Sequence, residues 1–122
     1  MIADSVTFSM RGTASLVCLS GEIDLANAPE IGREIVVHTS GAEAVLIDLT
    51  GVSFLDSAGV RLLDALIGDL DVLGTGIRLV VGESGPARST LQLCEFRADL
   101  LAIDLDRAAQ ELARPAAYPE VP

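Results

Sequence analysis

Residues 45–70, VLIDLTGVSFLDSAGVRLLDALIGDL, run from an apolar strand through a short loop into a helix. Val45, Leu46, Ile47 and Leu49 form a nearly continuous apolar run, the pattern of a strand covered on both faces. The chain is expected to turn after Gly51, with Phe54 and Leu55 leading into Asp56. An aspartate there is a good N-cap, because its carboxylate accepts the free N–H groups of the first helical turn. Val60, Leu63, Ile67 and Leu70 then recur at three- and four-residue steps, and Leu66 widens the stripe. Arg61, Asp64, Gly68 and Asp69 fall largely on the other side. Ser57 thus stands where strand gives way to helix, at the end with unpaired N–H groups and the positive dipole. Position alone fits two roles equally: a hydroxyl helping Asp56 to cap the helix, or one offered to something outside.

Upstream, Val6–Met10 alternates apolar and polar, Arg11-Gly12-Thr13 breaks the pattern, and Ser15–Leu19 resumes it, which predicts a hairpin. Ser20-Gly21-Glu22 closes the second strand. A helix is expected from about Asn27, with Asn27 as cap, Pro29 in the first turn and Glu30 at the positive dipole end. It runs through Ile31, Ile35 and Val36 and stops at Gly41. Downstream, Ile77–Val81 is another apolar strand, Pro86 opens a third helix ending near Cys94, Leu100–Ile103 is a short strand, and Leu105–Ala113 is a last helix. The order ββαβαβαβα predicts an α/β fold, a mixed five-stranded sheet with about four helices. Residues 1–114 form the domain. Residues 115–122 hold three of the five prolines and read as a tail. In such sheets function gathers at the carboxyl ends of the strands, which singles out two loops, Gly21–Asn27 and Gly51–Gly59.

A chain of 122 residues is one domain by length and needs no disulfide or metal staple. No apolar run approaches a membrane span, and the N-terminus shows no export signal. Cys18 and Cys94 are read as small buried hydrophobes in a reducing cytosol. Eighteen acidic residues oppose eight basic ones, all arginine and scattered singly, for a formal charge of −10. So acidic a surface disfavours nucleic acid and anionic lipid alike.

The segment Phe54-x-Asp56-Ser57-x-Gly59-Val60, between an apolar strand and an amphipathic helix, resembles the signature of the STAS domain. More narrowly it is similar to the single-domain bacterial anti-sigma-factor antagonists, whose G-E-[LI]-D segment is matched by Gly21, Glu22, Ile23 and Asp24. The likeness spans about Val6 to Leu112. Two positions depart from the pattern: Ala58 stands where other members carry Ser or Thr, and Glu95 replaces a glycine often found after the third helix. The resemblance implies that Ser57 is phosphorylated by a partner kinase that is itself the anti-sigma factor, and reset by a separate serine phosphatase. It also places partner binding on the two loops and the second helix. The residues concerned there are Asp24, Asn27, Phe54, Leu55, Asp56, Ser57, Ala58, Gly59, Arg61 and Leu62. The alternative is a non-switching STAS subunit of a signalling scaffold or lipid-transport complex.

Catalysis by the chain itself is not expected. The nucleophile elbow needs G-x-S-x-G, and here the sequence is L-D-S-A-G. The one histidine, His38, falls at the end of the first helix, and no cysteine cluster offers a zinc site. A phosphoaspartate receiver would need an acidic pair after its first strand and a lysine, and the chain has no lysine. Asp48 reads instead as a strand-end carboxylate bonding loop amides, and Asp24 as a loop cap. Gly74-Thr75-Gly76 lacks the glycine and lysine of a nucleotide loop, so the chain needs no cofactor of its own and ATP must come from the partner.

Overall fold

In the computed structural model, which describes residues 6–113, the elements follow the order β1 (Val6–Arg11), β2 (Ala14–Ile23), α1 (Ala28–His38), β3 (Ala44–Leu55), α2 (Ser57–Val72), β4 (Gly76–Val80), α3 (Pro86–Leu93), a 3-10 turn at Ala98–Leu100, β5 (Leu101–Ala102) and α4 (Leu105–Ala113). The expected tail, 115–122, lies outside the described residues. The five strands lie in chain order, β1 antiparallel to β2 and the rest parallel. Helices α1, α2 and α3 contribute to one core with Val17, Leu19, Val45, Ile47 and Leu79. On the other face α4 alone packs on Ala14, Leu16, Leu46 and Val80. Val45, Leu46 and Ile47 are fully enclosed because successive side chains of this strand enter opposite cores.

The expected turn after Gly51 does not occur. β3 continues to Leu55 and stays paired with β2, Ser20 opposite Gly51 and Ile23 opposite Leu55. Two register shifts make this possible, between Cys18 and Ser20 and between Gly21 and Glu22, each giving β3 one residue more than its partner. The extra residues change the inward spacing from two (Val45, Ile47, Leu49) to three (Leu49, Val52, Leu55), so all five stay in the core. Asp48 holds the first shift, its Oδ1 accepting from Thr50 N at 2.9 Å and Thr50 Oγ1 at 2.6 Å. Gly21, with φ of 76°, adopts at the second a conformation that other residues resist.

Smaller departures have local causes. The last strand is two residues long because Ala98–Leu100 coils before it. Cys94 is not buried; it caps the C-terminus of α3 at the surface. Cys18 is partly covered, and burial, with Asp48 adding to it, pushes its thiol above the ordinary range against a smaller opposing hydrogen bond from Thr7. His38 stacks flat on Phe8, ring centroids 3.9 Å apart.

Beyond Cys94 the chain leaves α3 in a Schellman arrangement. Glu95 N donates to Gln92 O at 3.1 Å and Phe96 N to Leu91 O at 2.9 Å. The motif requires a left-handed residue, and Glu95 adopts φ of 54°, alone among the described non-glycine residues. The substitution seen in the sequence therefore costs backbone strain of about 1 kcal/mol or more. Glu95→Gly is expected to raise stability by about 0.5–1 kcal/mol after glycine's own entropy is counted, a midpoint gain of roughly 2–6 °C in thermal melting. An unchanged or lower midpoint would contradict the strain.

Candidate functional site

β2 and β3 end side by side, Ile23 paired with Leu55, and each then yields to a helix. The exits are stitched together by one carboxylate. Asp56 N donates to Ile23 O at 3.3 Å. Its Oδ1 accepts from Gly59 N at 3.0 Å, capping α2 as the sequence implies. Its Oδ2 accepts from Leu25 N at 3.3 Å, across 31 residues of sequence. A single side chain thereby fixes the position of the β2–α1 loop against the start of α2.

The β2–α1 loop is braced from within as well. Asp24 Oδ1 accepts from Ala26 N at 2.9 Å and from Asn27 N at 3.3 Å, the loop-capping role expected of it. Asn27 does not cap α1 with its side chain. Its Oδ1 instead accepts from Asp24 N at 2.9 Å and its Nδ2 donates to Glu22 O at 2.8 Å. The amide, with both a donor and an acceptor, is spent on pinning the turn backwards rather than on the helix ahead.

Ser57 is the first residue of α2 and is exposed. Around it Asp56 is partly covered, Arg61 is exposed and Leu62 is partly buried. Phe54 stands 49% exposed on the outer side of β3. Leu55 belongs to the core, not to a contact surface, because the second register shift turns it inward. Ala58 and Gly59 are buried behind Ser57. A Cβ on Gly59 would come 2.4 Å from Leu55 Cδ1 and 3.3 Å from Ile23 Cγ2, so the first turn of α2 sits this low on the sheet only with glycine there. Sequence reasoning missed Leu25, which is 70% exposed beside this junction. Leu25, Ala28, Pro29, Ala58, Arg61 and Leu62 line a shallow cleft of about 250 Å³. The signal was an apolar side chain directly after Asp24 in a polar loop.

The arrangement is one of presentation. Among the described residues no group of three or more His, Cys, Asp or Glu is placed to hold a metal ion, and no helix is long and apolar enough to cross a membrane. The site consists of an exposed hydroxyl at a helix N-terminus, the Asp56 carboxylate that joins that helix to the β2–α1 loop, and the apolar cleft that Leu25 and Leu62 line next to it. Asp56→Ala removes the cap and the loop bridge together. It is expected to lower stability by about 1–2 kcal/mol in denaturant unfolding and to speed amide exchange at Leu25 and Gly59. Unaltered exchange at Leu25 would show that the bridge does not hold the loop.

Comparison with known proteins agrees with this architecture. An anti-sigma factor antagonist from Mycobacterium paratuberculosis is 29% identical and superposes with a TM-score of 0.76, over 88% of this chain and 92% of that one. SpoIIAA in its unphosphorylated form shares the fold at 18% identity, TM-score 0.73, over 93% and 99% of the two chains. The phosphorylated form of the Bacillus SpoIIAA aligns at 18% identity, TM-score 0.62, over 87% and 96%. The profile of the STAS domain matches residues 7–109, most of the chain, and with the five-stranded mixed sheet it shows that this protein belongs to the STAS domain family.

Proposed function

We propose that the protein is an anti-sigma-factor antagonist that binds an anti-sigma factor with serine kinase activity, frees a sigma factor, and is released when that partner phosphorylates Ser57. The observation that carries the reading is the exposed Ser57 at the N-terminus of α2, held by the Asp56 bridge between the two loops. The 29% identical antagonist and the existence of a phosphorylated SpoIIAA support it.

In this reading Asp24, Asn27, Asp56, Ser57, Arg61 and the apolar Leu25, Phe54 and Leu62 form the docking face, with Ala58 and Gly59 behind it. The partner supplies ATP. Ser57 Oγ attacks the γ-phosphorus, an O–P bond forms, the bond to the β-phosphate oxygen breaks, ADP leaves, and the hydroxyl proton passes to the partner or to water. The product adds about −1.5 to −2 charges beside Asp24 and Asp56. The amides and dipole of a helix N-terminus accommodate that charge, so the fold need not change. A docked protein surface does not accommodate it without desolvating the phosphate. About 1.4 kcal/mol is a decade of affinity, so a few kcal/mol suffices for release. A serine phosphatase resets the switch, and the cycle runs in the cytoplasm.

The test is incubation with labelled ATP and a histidine-kinase-like ATPase anti-sigma factor. Wild-type protein is expected to take up one phosphate per chain. Ser57→Ala should take up none and still bind the partner, and Ser57→Asp should weaken binding by about tenfold or more. Phosphate uptake by Ser57→Ala would rule the site out. Binding without any phosphate uptake by the wild type would favour a non-switching STAS subunit instead.

A further inference from the structure

The start of α2 carries two polar side chains that its own capping leaves unused. Asp56 supplies the cap, and its two oxygens are taken by Gly59 N and Leu25 N. Ser57, the first helical residue, is exposed, and its hydroxyl makes no hydrogen bond among the described residues. Arg61, four residues on, is the one basic residue of α2 and is exposed as well. Its guanidinium joins none of the ion pairs among the described residues, although exposed Asp64 follows three positions later. Between the two, Ala58 and Gly59 are buried and Val60 partly so, which makes Ser57 and Arg61 successive members of the solvent face. Residues four apart on a helix have Cβ atoms about 5–6 Å from each other. Helical side chains also lean towards the N-terminus, which carries an arginine at position 61 back towards position 57. Arg61 accordingly lines the cleft with Leu25 and Ala58, at the N-terminal end of α2.

We propose that Arg61 is the built-in counter-ion of phosphorylated Ser57, its guanidinium closing on the phosphate along the exposed face of α2. This rests on the proposed function in taking Ser57 as the modified residue. An anion four residues before a cation is the favoured order on a helix. The planar guanidinium fork matches two phosphate oxygens and forms two charge-assisted bonds with them. Before phosphorylation no group of the chain holds Arg61, and it is available to a docked partner. Afterwards it is engaged within the chain. Release then has two parts: the phosphate adds negative charge to the docking face, and the docking face loses its cation. The same pairing keeps the phosphate a dianion at neutral pH, because a neighbouring cation favours the more negative form.

The test needs no kinase. Phosphoserine is built into the full chain at position 57 during translation, and the phosphate is titrated with pH by ³¹P NMR. Removing the cation should raise the midpoint, so Arg61→Gln is expected to titrate about 0.5 pH unit higher than the unmutated phosphoprotein. Arg61→Lys keeps the charge and loses the fork, and should fall between the two. Arg107→Gln removes the same charge from α4, on the other face of the sheet, and should stay within about 0.1 pH unit. In the unmutated chain the Arg61 side-chain Nε–H signal should move as the phosphate titrates, and should stay still over the same range when Ser57 is unmodified. This last reading involves no substitution at Arg61, so it holds even if a variant folds poorly. Equal midpoints with and without Arg61, an equal rise in Arg107→Gln, or an Nε–H signal blind to the phosphate would each overturn the inference. A kinase that leaves Ser57 unmodified would sink the proposed switch and none of these readings, so the two failures are told apart.

Discussion

Two parallel strands that end together and pass into two different helices leave a gap between their exits, and the carboxylate of Asp56 closes it. Each exit carries backbone N–H groups that the sheet no longer satisfies and the helix does not yet satisfy. Asp56 gives one oxygen to Gly59 of its own helix and the other to Leu25 of the neighbouring exit. Only an ionised carboxylate of this length does both, because it is acceptor on both oxygens and its bonds are charge-assisted. An asparagine would turn an NH₂ group towards one of the two donors. The surface formed by the loops is thus a consequence of one side chain whose backbone is itself tied to Ile23.

That side chain is delivered to its place by irregularity in the sheet. Without the two register shifts, strict alternation beyond Leu49 would turn Gly51 and Ser53 inward and carry Val52 out of the core. With them, the pair extends to Ile23 and Leu55, and the helix begins with no slack between Leu55 and Ser57. Gly59 completes the arrangement, since its missing Cβ lets the first turn of α2 rest on Leu55 and Ile23. Packing beneath the junction and the hydrogen bonds of Asp24, Asn27 and Asp56 above it hold the two loops together.

The parts of this that were legible in the sequence are those with a single period. Val45–Leu49 and the Val60–Leu70 stripe each follow one rule, of two or of about 3.6, and each lies where that rule puts it. Asp56 as cap was legible because capping is local. The bulged end of β3 was not, because its apolar spacing changes from two to three at Leu49 and passes through Gly51, which imitates a loop. Asn27 misled for a related reason: a residue at the right position for a cap was engaged by Glu22 and Asp24 behind it. The exposure of Leu25 and the burial of Leu55 depend on pairing across about thirty residues, which no local window contains. Glu95 was legible as a departure from the family pattern, but only its φ shows that the glycine's conformation survived the glycine's loss.

The candidate surface joins two regions governed by different physics. Around Ser57 the carboxylates of Asp24 and Asp56 and the Arg61 guanidinium set a field that fades over a Debye length of about 8 Å at physiological salt and responds strongly to added charge. Along α1 and α2 the groups are aliphatic, and their contribution scales with area removed from water, at about 25 cal/mol per Å², with little sensitivity to salt or phosphate. In the proposed switch, charge added at a single hydroxyl acts on the loop face, where the carboxylates of Asp24 and Asp56 already set the local field, and the aliphatic contacts are left as they were.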